Sequence, residues 1–432
     1  MKIVAFLPAK GSSSRVKNKN LQLLDGKPLF LHTLEKLVAS NIFDDVYLDT
    51  ESQEIIDLAS EVKCKILHRD SSLASNKTDG NDLFLNEIKN IKAHIYVQVL
   101  CTSPFIKIET IQAGIDMLVK NKTFDSAFLV KREKLYTWID GEPSYDVNNI
   151  PNSVDLDEIT IETMGLYIIK RDAAIEQKRR IGLNPFFIDA SPLESIDVNW
   201  PDDFKLAELI AAGLREKDRK LLANIKVSLN SSILSDILDD MEFPNQVIKG
   251  LSPNIAGSKL LGRAKTLKLR KLSKDEDASG IYNALNSYDT IIPNDVILVE
   301  NEISEYAYFG ELNANLTIRS GGSGVIVDGM TRDEQAVRSI GLPVFSKGQS
   351  CQDVRNRATT ESFNKTIHIG GVKIEPGSLV FADDEGIIII PKTIENEVID
   401  KVYEKLATEK NIISEIASGI SIDDLTENYG FF

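Results

Sequence analysis

The sequence predicts a two-domain α/β protein, and three observations carry that prediction. A chain of 432 residues exceeds what one hydrophobic core usually organises, since domains run to roughly 100–200 residues. Through the first half, short apolar runs alternate with helical patterns, the mark of a mostly parallel sheet with crossover helices. After a long helical pattern opening at Pro201-Asp202-Asp203-Phe204, the second half turns to glycine-punctuated β runs, and no internal repeat links the halves.

The elements follow in order. Residues 2–7 read as a strand, 29–40 as a helix, 46–49 as a strand, 53–62 as a helix and 94–100 as a strand. Ligands on such sheets bind at the carboxyl ends of strands. The helical pattern from Pro201 runs through Leu206, Leu209, Ile210, Leu214, Leu221 and Leu222. Its charged stretch 215–220 is expected to connect the domains, giving domains 1–223 and 224–432. Beyond it stand a strand-like run at 295–299 and β runs at 324–328 and 378–391. Within the last, Ile387-Ile388-Ile389-Ile390 reads as a fully buried strand.

The composition, 42% hydrophobic and 27% charged, can bury cores in both halves. A net charge of −15 argues against a nucleic-acid binder, which needs a concentrated basic surface. Cys64, Cys101 and Cys351 are isolated thiols without CxxC spacing, as expected in a reducing compartment. The opening apolar run is too short for a signal peptide, and no run approaches the ~20 apolar residues of a spanning helix. The expectation is a cytoplasmic protein without a membrane partner.

The first candidate site follows the opening strand. In Leu7-Pro8-Ala9-Lys10-Gly11-Ser12-Ser13-Ser14-Arg15, glycine and three serines let backbone amides approach an oxyanion, while Lys10, Arg15, Lys17 and Lys19 concentrate charge. A Gly/Ser loop alone is more often a plain turn, but four cations in an acidic chain favour a phosphate cradle. Lys17 reads as a solvated loop charge.

These residues carry a resemblance. With Lys19-Asn20-Leu21, Gly26-Lys27-Pro28-Leu29, Asp49-Thr50-Glu51-Ser52, His68-Arg69-Asp70, Thr102-Ser103-Pro104, Glu162-Thr163-Met164-Gly165 and the segment from Asp197 to Phe204, the first half resembles the acylneuraminate and ulosonate cytidylyltransferases. The resemblance implies a Rossmann-like nucleotidyltransferase fold, CTP and a sugar acid as substrates, and Mg²⁺. Lys10, Arg15 and Lys19 would meet the triphosphate as catalytic cations; Ala9, Gly11, Ser12, Ser13, Asn20, Arg69 and Ser103 would bind the nucleotide. Asp197 is the metal-ligand candidate, since Asp202 and Asp203 are better placed to cap the helix at Pro201. Lys10 stands where arginine is usual, Leu100 where glutamine is common, and Asn199 in place of a second metal-binding aspartate.

The second candidate site is Glu311 and Arg332-Asp333, with 20 residues between Glu311 and Arg332. Two carboxylates and a guanidinium beside glycine-rich backbone can hold a divalent metal and a small keto acid. Taken alone, an Arg-Asp step after a glycine turn is usually a surface ion pair. With Gly257-Ser258-Lys259-Leu260-Leu261-Gly262-Arg263, Pro293-Asn294-Asp295-Val296, Gly370-Gly371-Val372 and Pro376-Gly377-Ser378, the spacing resembles the class II pyruvate aldolases of the 4-hydroxy-4-methyl-2-oxoglutarate aldolase type, within the family named for the regulator of ribonuclease activity A. That family adds an α/β fold of its own. It implies Asp333 and Glu311 as ligands of Mg²⁺ or Mn²⁺, although aspartate is usual at Glu311. Arg332 would pair with pyruvate or a related keto acid, whose carboxylate the Leu312 and Asn313 amides would receive. His32, His94 and His368 read as packed or hydrogen-bonded histidines, and Cys351 has no basic partner to make it a nucleophile.

Together these readings imply a bifunctional enzyme: CMP transfer from CTP to a 2-keto-3-deoxy sugar acid, and metal-dependent pyruvate aldol chemistry, for surface-polysaccharide synthesis. The alternative keeps the transferase and makes the second half an oligomerisation or regulatory module; a partner-binding regulator of RNA processing is a third. Family analogy implies a homo-oligomer, trimer or hexamer.

Overall fold

A computed structural model describes residues 1–13, 15–75 and 77–430, so Ser14 of the expected phosphate loop lies outside the described residues. The chain divides into two compact units, Met1–Ala212 and Gly213–Phe432. The division falls inside one helix, α5 (Pro201–Ser228), and the boundary expected at 223/224 lies further along it. The stretch 215–220 is therefore helical. Its charges support the helix, with Glu216 near Arg219 and Lys220 at three- and four-residue spacing.

The first unit is built on β1 (Ile3–Pro8), α1 (Leu29–Ala39), β2 (Asp45–Thr50), α2 (Gln53–Leu58), β3 (Lys65–His68), α3 (Gly80–Asn90), β4 (Ile95–Val99), α4 (Ile108–Lys120), β5 (Ser126–Glu133), β6 (Ile159–Lys170) and β7 (Pro185–Asp189). Its seven strands lie in the order β7-β5-β6-β4-β1-β2-β3, parallel except for β6, which runs against both neighbours. Both faces are covered, which explains the nearly continuous apolar runs of β1 and β4. Ala5, Leu7, Val97 and Val99 join one core with α1 and α4; Val4, Phe6 and Tyr96 join another with Phe84 of α3. The helix expected over 53–62 ends at Leu58, where the Ser60 hydroxyl donates to Asp57 O (2.7 Å) and competes with further helix.

The second unit holds α6 (Ser231–Asp240), β8 (Val247–Ile248), β9 (Ser252–Pro253), β10 (Leu260–Lys271), β11 (Asp295–Asn301), α7 (Glu311–Arg319), β12 (Gly324–Val327), α8 (Glu334–Ser339), β13 (Val344–Ser346), β14 (Ala358–Phe363), β15 (Leu379–Ala382), β16 (Ile387–Ile390) and α9 (Glu395–Ala417). The sheet order is β8-β16-β15-β10-β11-β12-β13-β9, with β14 also paired to β10. Strands β10 to β13 are parallel, and the isoleucines of β16 are buried between two cores as expected. A small parallel sheet of Ala307–Phe309, Met330–Thr331 and Gly348–Gln349 stands at the carboxyl ends of these strands. His368 lies in the expected β run, but its side chain is exposed, and it is the backbone N–H that donates to Glu300 (2.7 Å).

Candidate active sites

In the first unit, β1 delivers the loop after Pro8 to the carboxyl edge of the sheet. The Ala9 N–H donates to Asp49 O (2.9 Å), continuing the β1–β2 ladder one step. The Gly11 N–H donates to Glu51 Oε1 (2.8 Å). A Cβ at Gly11 would stand 2.7 Å from Ser52 Cβ, so glycine is required by close approach to the start of α2. Ser12 is exposed and Ser13 partly so. Asn20 secures the far side: its Nδ2 donates to Lys10 O (2.9 Å) and its Oδ1 accepts from the Cys101 thiol (3.2 Å).

The expected cations take different stations. Lys19 is buried and its Nζ donates to Val198 O (2.6 Å), which ties the loop to the Asp197 segment. Burial lowers its pKa, against the pull of Cys101 and Asp197. Arg15 is exposed and lies 5.5 Å from the Trp200 ring centroid. Arg69 is enclosed: Nε donates to Glu51 Oε2 (3.0 Å), and a terminal nitrogen stands 3.4 Å from Asp49 Oδ2. The side chain expected at the nucleotide is thus engaged by two carboxylates, and its link to the loop runs through Glu51 to the Gly11 amide. Burial opposes the charge on Glu51, but the Gly11 amide and Arg69 outweigh it and its pKa is lowered. Burial pushes Asp49 up to about 6 and raises fully enclosed Glu87 well above the carboxylate range.

Asp203, not Asp197, caps the long helix, accepting the Asn199 and Trp200 N–H groups (2.9 and 2.8 Å). Asp197 Oδ2 accepts from the Asn199 side chain, and its Oδ1 is enclosed without a hydrogen-bond partner among the described residues. An orphaned carboxylate oxygen beside buried Lys19 suits a cation. The Ser103 hydroxyl is likewise enclosed and unpartnered, pressed against Gly165, where a Cβ would be 2.7 Å away.

In the second unit, α7 starts at Glu311 after Gly310, with no capping side chain. Its first-turn amides include those of Leu312 and Asn313 and lack intrahelical partners by construction. The Leu312 side chain is 79% exposed, and Asn313 uses its Nδ2 on Tyr308 O (3.1 Å). Asp333 adopts φ 56°, in the left-handed region, a strained placement of the kind found at functional sites. It brings Oδ2 to 3.3 Å from the Glu311 N and 3.7 Å from Arg332 Nε. Gly310 makes room, since a Cβ there would meet Asp333 Oδ2 at 2.6 Å.

Arg332 is held by Asp353, whose Oδ2 lies 3.1 Å from its terminal nitrogen. Sequence reasoning missed Asp353. It reaches the site because 352–354 pairs with Ala307, a long-range contact that no spacing announces. Among the described residues no cluster of three or more His, Cys, Asp or Glu is arranged for a metal. Each expected centre thus rests on one or two carboxylates, with other positions left to phosphate, keto acid or water.

Each half of the chain matches one protein family. Residues 4–180 match the cytidylyltransferase family, and residues 231–389 match the family described as Aldolase/RraA. The chain joins a domain of the first kind to a domain of the second.

Among curated proteins it is 30% identical over 204 residues to protein DlpA of Legionella pneumophila, covering 47% of this chain and 33% of that one. A putative 4-hydroxy-4-methyl-2-oxoglutarate aldolase of Halalkalibacterium halodurans is 27% identical, over 42% of this chain and 82% of its own. The 3-deoxy-manno-octulosonate cytidylyltransferase of Chloroherpeton thalassium is 32% identical, over 30% of this chain and 52% of its own. The matched stretches thus span a third of DlpA and about half of the octulosonate enzyme. No helix among the described residues is long and apolar enough to cross a membrane.

Proposed function

We propose that the chain is a bifunctional enzyme whose first domain transfers CMP from CTP to a 2-keto-3-deoxy sugar acid and whose second performs pyruvate aldol chemistry. The observation that supports the first half is the tie of buried Lys19 to the carbonyl of Val198, the residue after Asp197, whose enclosed Oδ1 has no hydrogen-bond partner among the described residues. The acid's hydroxyl oxygen bonds to the α-phosphorus, the bond from that phosphorus to the bridging oxygen breaks, pyrophosphate leaves, and the hydroxyl proton passes to water. Charge grows on phosphate oxygens throughout, so fixed amides and cations at the loop supply most of the catalysis. Mg²⁺, held by Asp197 and the triphosphate, would neutralise part of that charge.

In the second domain, Asp333 and Glu311 would hold Mg²⁺ or Mn²⁺, which polarises a 2-keto oxygen when bound. Arg332, fixed by Asp353, faces the keto acid, and the first-turn amides of α7 receive its carboxylate. The two activities fit together chemically: aldol addition of pyruvate to an aldehyde yields a 2-keto acid of the class the first domain activates, as surface-polysaccharide synthesis requires. A cytoplasmic homo-oligomer, trimer or hexamer, belongs to the same reading.

Purified protein is expected to release pyrophosphate from CTP with a ulosonic acid and Mg²⁺, and to exchange pyruvate methyl protons with deuterium in a metal-dependent way. Loss of the first on Asp197→Asn and of the second on Asp333→Ala supports each half separately. Pyrophosphate release without any proton exchange would make the second domain an oligomerisation or regulatory module.

A further inference from the structure

On the face of the first sheet that packs α3, one cation has no acidic partner among the described residues. The Arg180 guanidinium carbon lies 3.8 Å from the Tyr167 ring centroid, and one terminal nitrogen donates to Gln98 Oε1 (3.3 Å). The other stands 4.0 Å from Met164 Sδ, on the exposed side. Gly80 at the start of α3 makes this placement possible, because a Cβ there would be 2.5 Å from the guanidinium carbon. Gln98 is 1% exposed, and its Nε2 donates to Glu87 Oε2 (2.9 Å), which fixes the carboxamide with its oxygen toward Arg180. Glu162 takes the Tyr167 hydroxyl rather than the guanidinium.

The backbone opens the same spot. Met164 has φ 61°, and the β6–β5 register shifts between Glu162 and Tyr167, so the strand breaks its ladder where Arg180 reaches the surface. Gln98 is the next-to-last residue of β4, and just beyond that strand the Cys101 thiol donates to Oδ1 of Asn20, which holds the loop after β1 (3.2 Å), so the stacked pair lies at the same carboxyl edge of the sheet as that loop. Neutral contacts position this cation, and no carboxylate among the described residues lies within ion-pair distance of it. A half-enclosed guanidinium with a free edge is suited to a planar, bidentate anion.

We propose that Arg180, held by Tyr167 and Gln98, receives the carboxylate of the acid acceptor in the first domain. This rests on the transferase reading. In a 2-keto-3-deoxy sugar acid in its ring form, the carboxylate is bonded to the carbon that bears the reacting hydroxyl. Anchoring the carboxylate at Arg180 therefore keeps that hydroxyl at the carboxyl edge of the sheet, where the loop after β1 stands. The nucleotide's phosphates go to the loop after β1, so the two anions occupy separate cations.

The test measures pyrophosphate release for wild type, Arg180→Gln and Arg180→Lys, with CTP and either 3-deoxy-manno-octulosonate or N-acetylneuraminate, and with the methyl ester of the acid used. A lost charge-assisted pair is worth roughly 10- to 100-fold, so Arg180→Gln is expected to raise KM for the acid by that factor while KM for CTP stays unchanged. The lysine variant, with charge but no fork, should fall between. Wild type should prefer the acid over its ester, and Arg180→Gln should not. Unchanged KM for CTP shows that the variant is folded; if Arg180→Gln does not fold, the acid KM and ester preference of Arg180→Lys decide. Wild-type turnover with an acid KM that neither variant alters overturns the assignment alone. No pyrophosphate release by wild type with either acid overturns the transferase reading and this inference with it.

Discussion

Arg69 Nε stands 3.0 Å from one oxygen of Glu51, and the other oxygen of that carboxylate accepts the Gly11 N–H at 2.8 Å. A buried arginine thus fixes, through Glu51, the position of the loop after β1, whose Gly11 amide is taken by that carboxylate. Replacing Arg69 with methionine strands Glu51 and Asp49 without their cation, and should destabilise the protein by about 3–5 kcal/mol in urea titration. Burial places Asp49 at about 6, so the loss should shrink as pH falls through that value, because a protonated Asp49 needs no counter-ion. A loss below 1 kcal/mol at pH 8, on the order of a surface pair, would show that the pair is structurally dispensable.

Close approach at Gly11 yields a rescue experiment. Gly11→Ala should push the loop away from α2 and reduce nucleotidyl transfer by roughly 100-fold, the scale of losing an aligned oxyanion donor. Adding Ser52→Gly removes the atom that the new methyl group meets, at 2.7 Å. The double variant should recover most activity, at a small cost in stability from the lost cap of α2. Equal activity in single and double variants would refute the steric account.

His32 supplies a pH signature in stability. Its Nε2 lies 2.7 Å from Leu24 O, and burial first, then nearby Lys27, lowers its pKa to about 4. The unfolded chain therefore binds a proton near pH 6.5 that the folded chain refuses until about 4. The sign follows: stability from neutral His32 is full above about 6.5 and is lost as pH falls toward 4, by about 3 kcal/mol in total. His32→Gln keeps a donor for Leu24 and cannot titrate. The difference in unfolding free energy between wild type and variant should shift by that amount between pH 7 and pH 4.

The partnership of Arg332 with Asp353 separates orientation from charge in the second domain. Arg332→Lys should reduce metal-dependent exchange of pyruvate protons by about 100-fold, because the fork that meets a carboxylate is lost. Asp353→Asn leaves the guanidinium but loosens it, and a loss of roughly 10-fold is expected, mainly in KM. Deuterium exchange followed by proton NMR reads both. Equal losses would make Asp353 a direct participant rather than an aligning residue.

Much of the fold was legible in the chain. Apolar runs bounded by turns located β1, β2, β4, β11 and β16, because strands covered on both faces must be apolar throughout. Asp203 as the helix cap and Asp197 left free of that duty were readable from spacing, since capping acts across three or four residues. The charged stretch 215–220, read as a connector within a helical pattern, is helical, with charge pairs along one face. His368 showed the limit of pattern: its alternating strand said β, but not which side faced water.

By itself the sequence determined which local segments form and which short-range groups can meet: the glycine loop after β1, the Arg332-Asp333 step, the alternation that builds each sheet. Tertiary structure decided which distant charges neutralise one another. It alone enclosed Arg69 between Asp49 and Glu51, gave Arg332 to Asp353, and left Arg180 over Tyr167 with no acid among the described residues. The reason is physical. A charge is costly to bury unless a partner arrives, and partners many residues apart are brought together by sheet order, which no local spacing encodes.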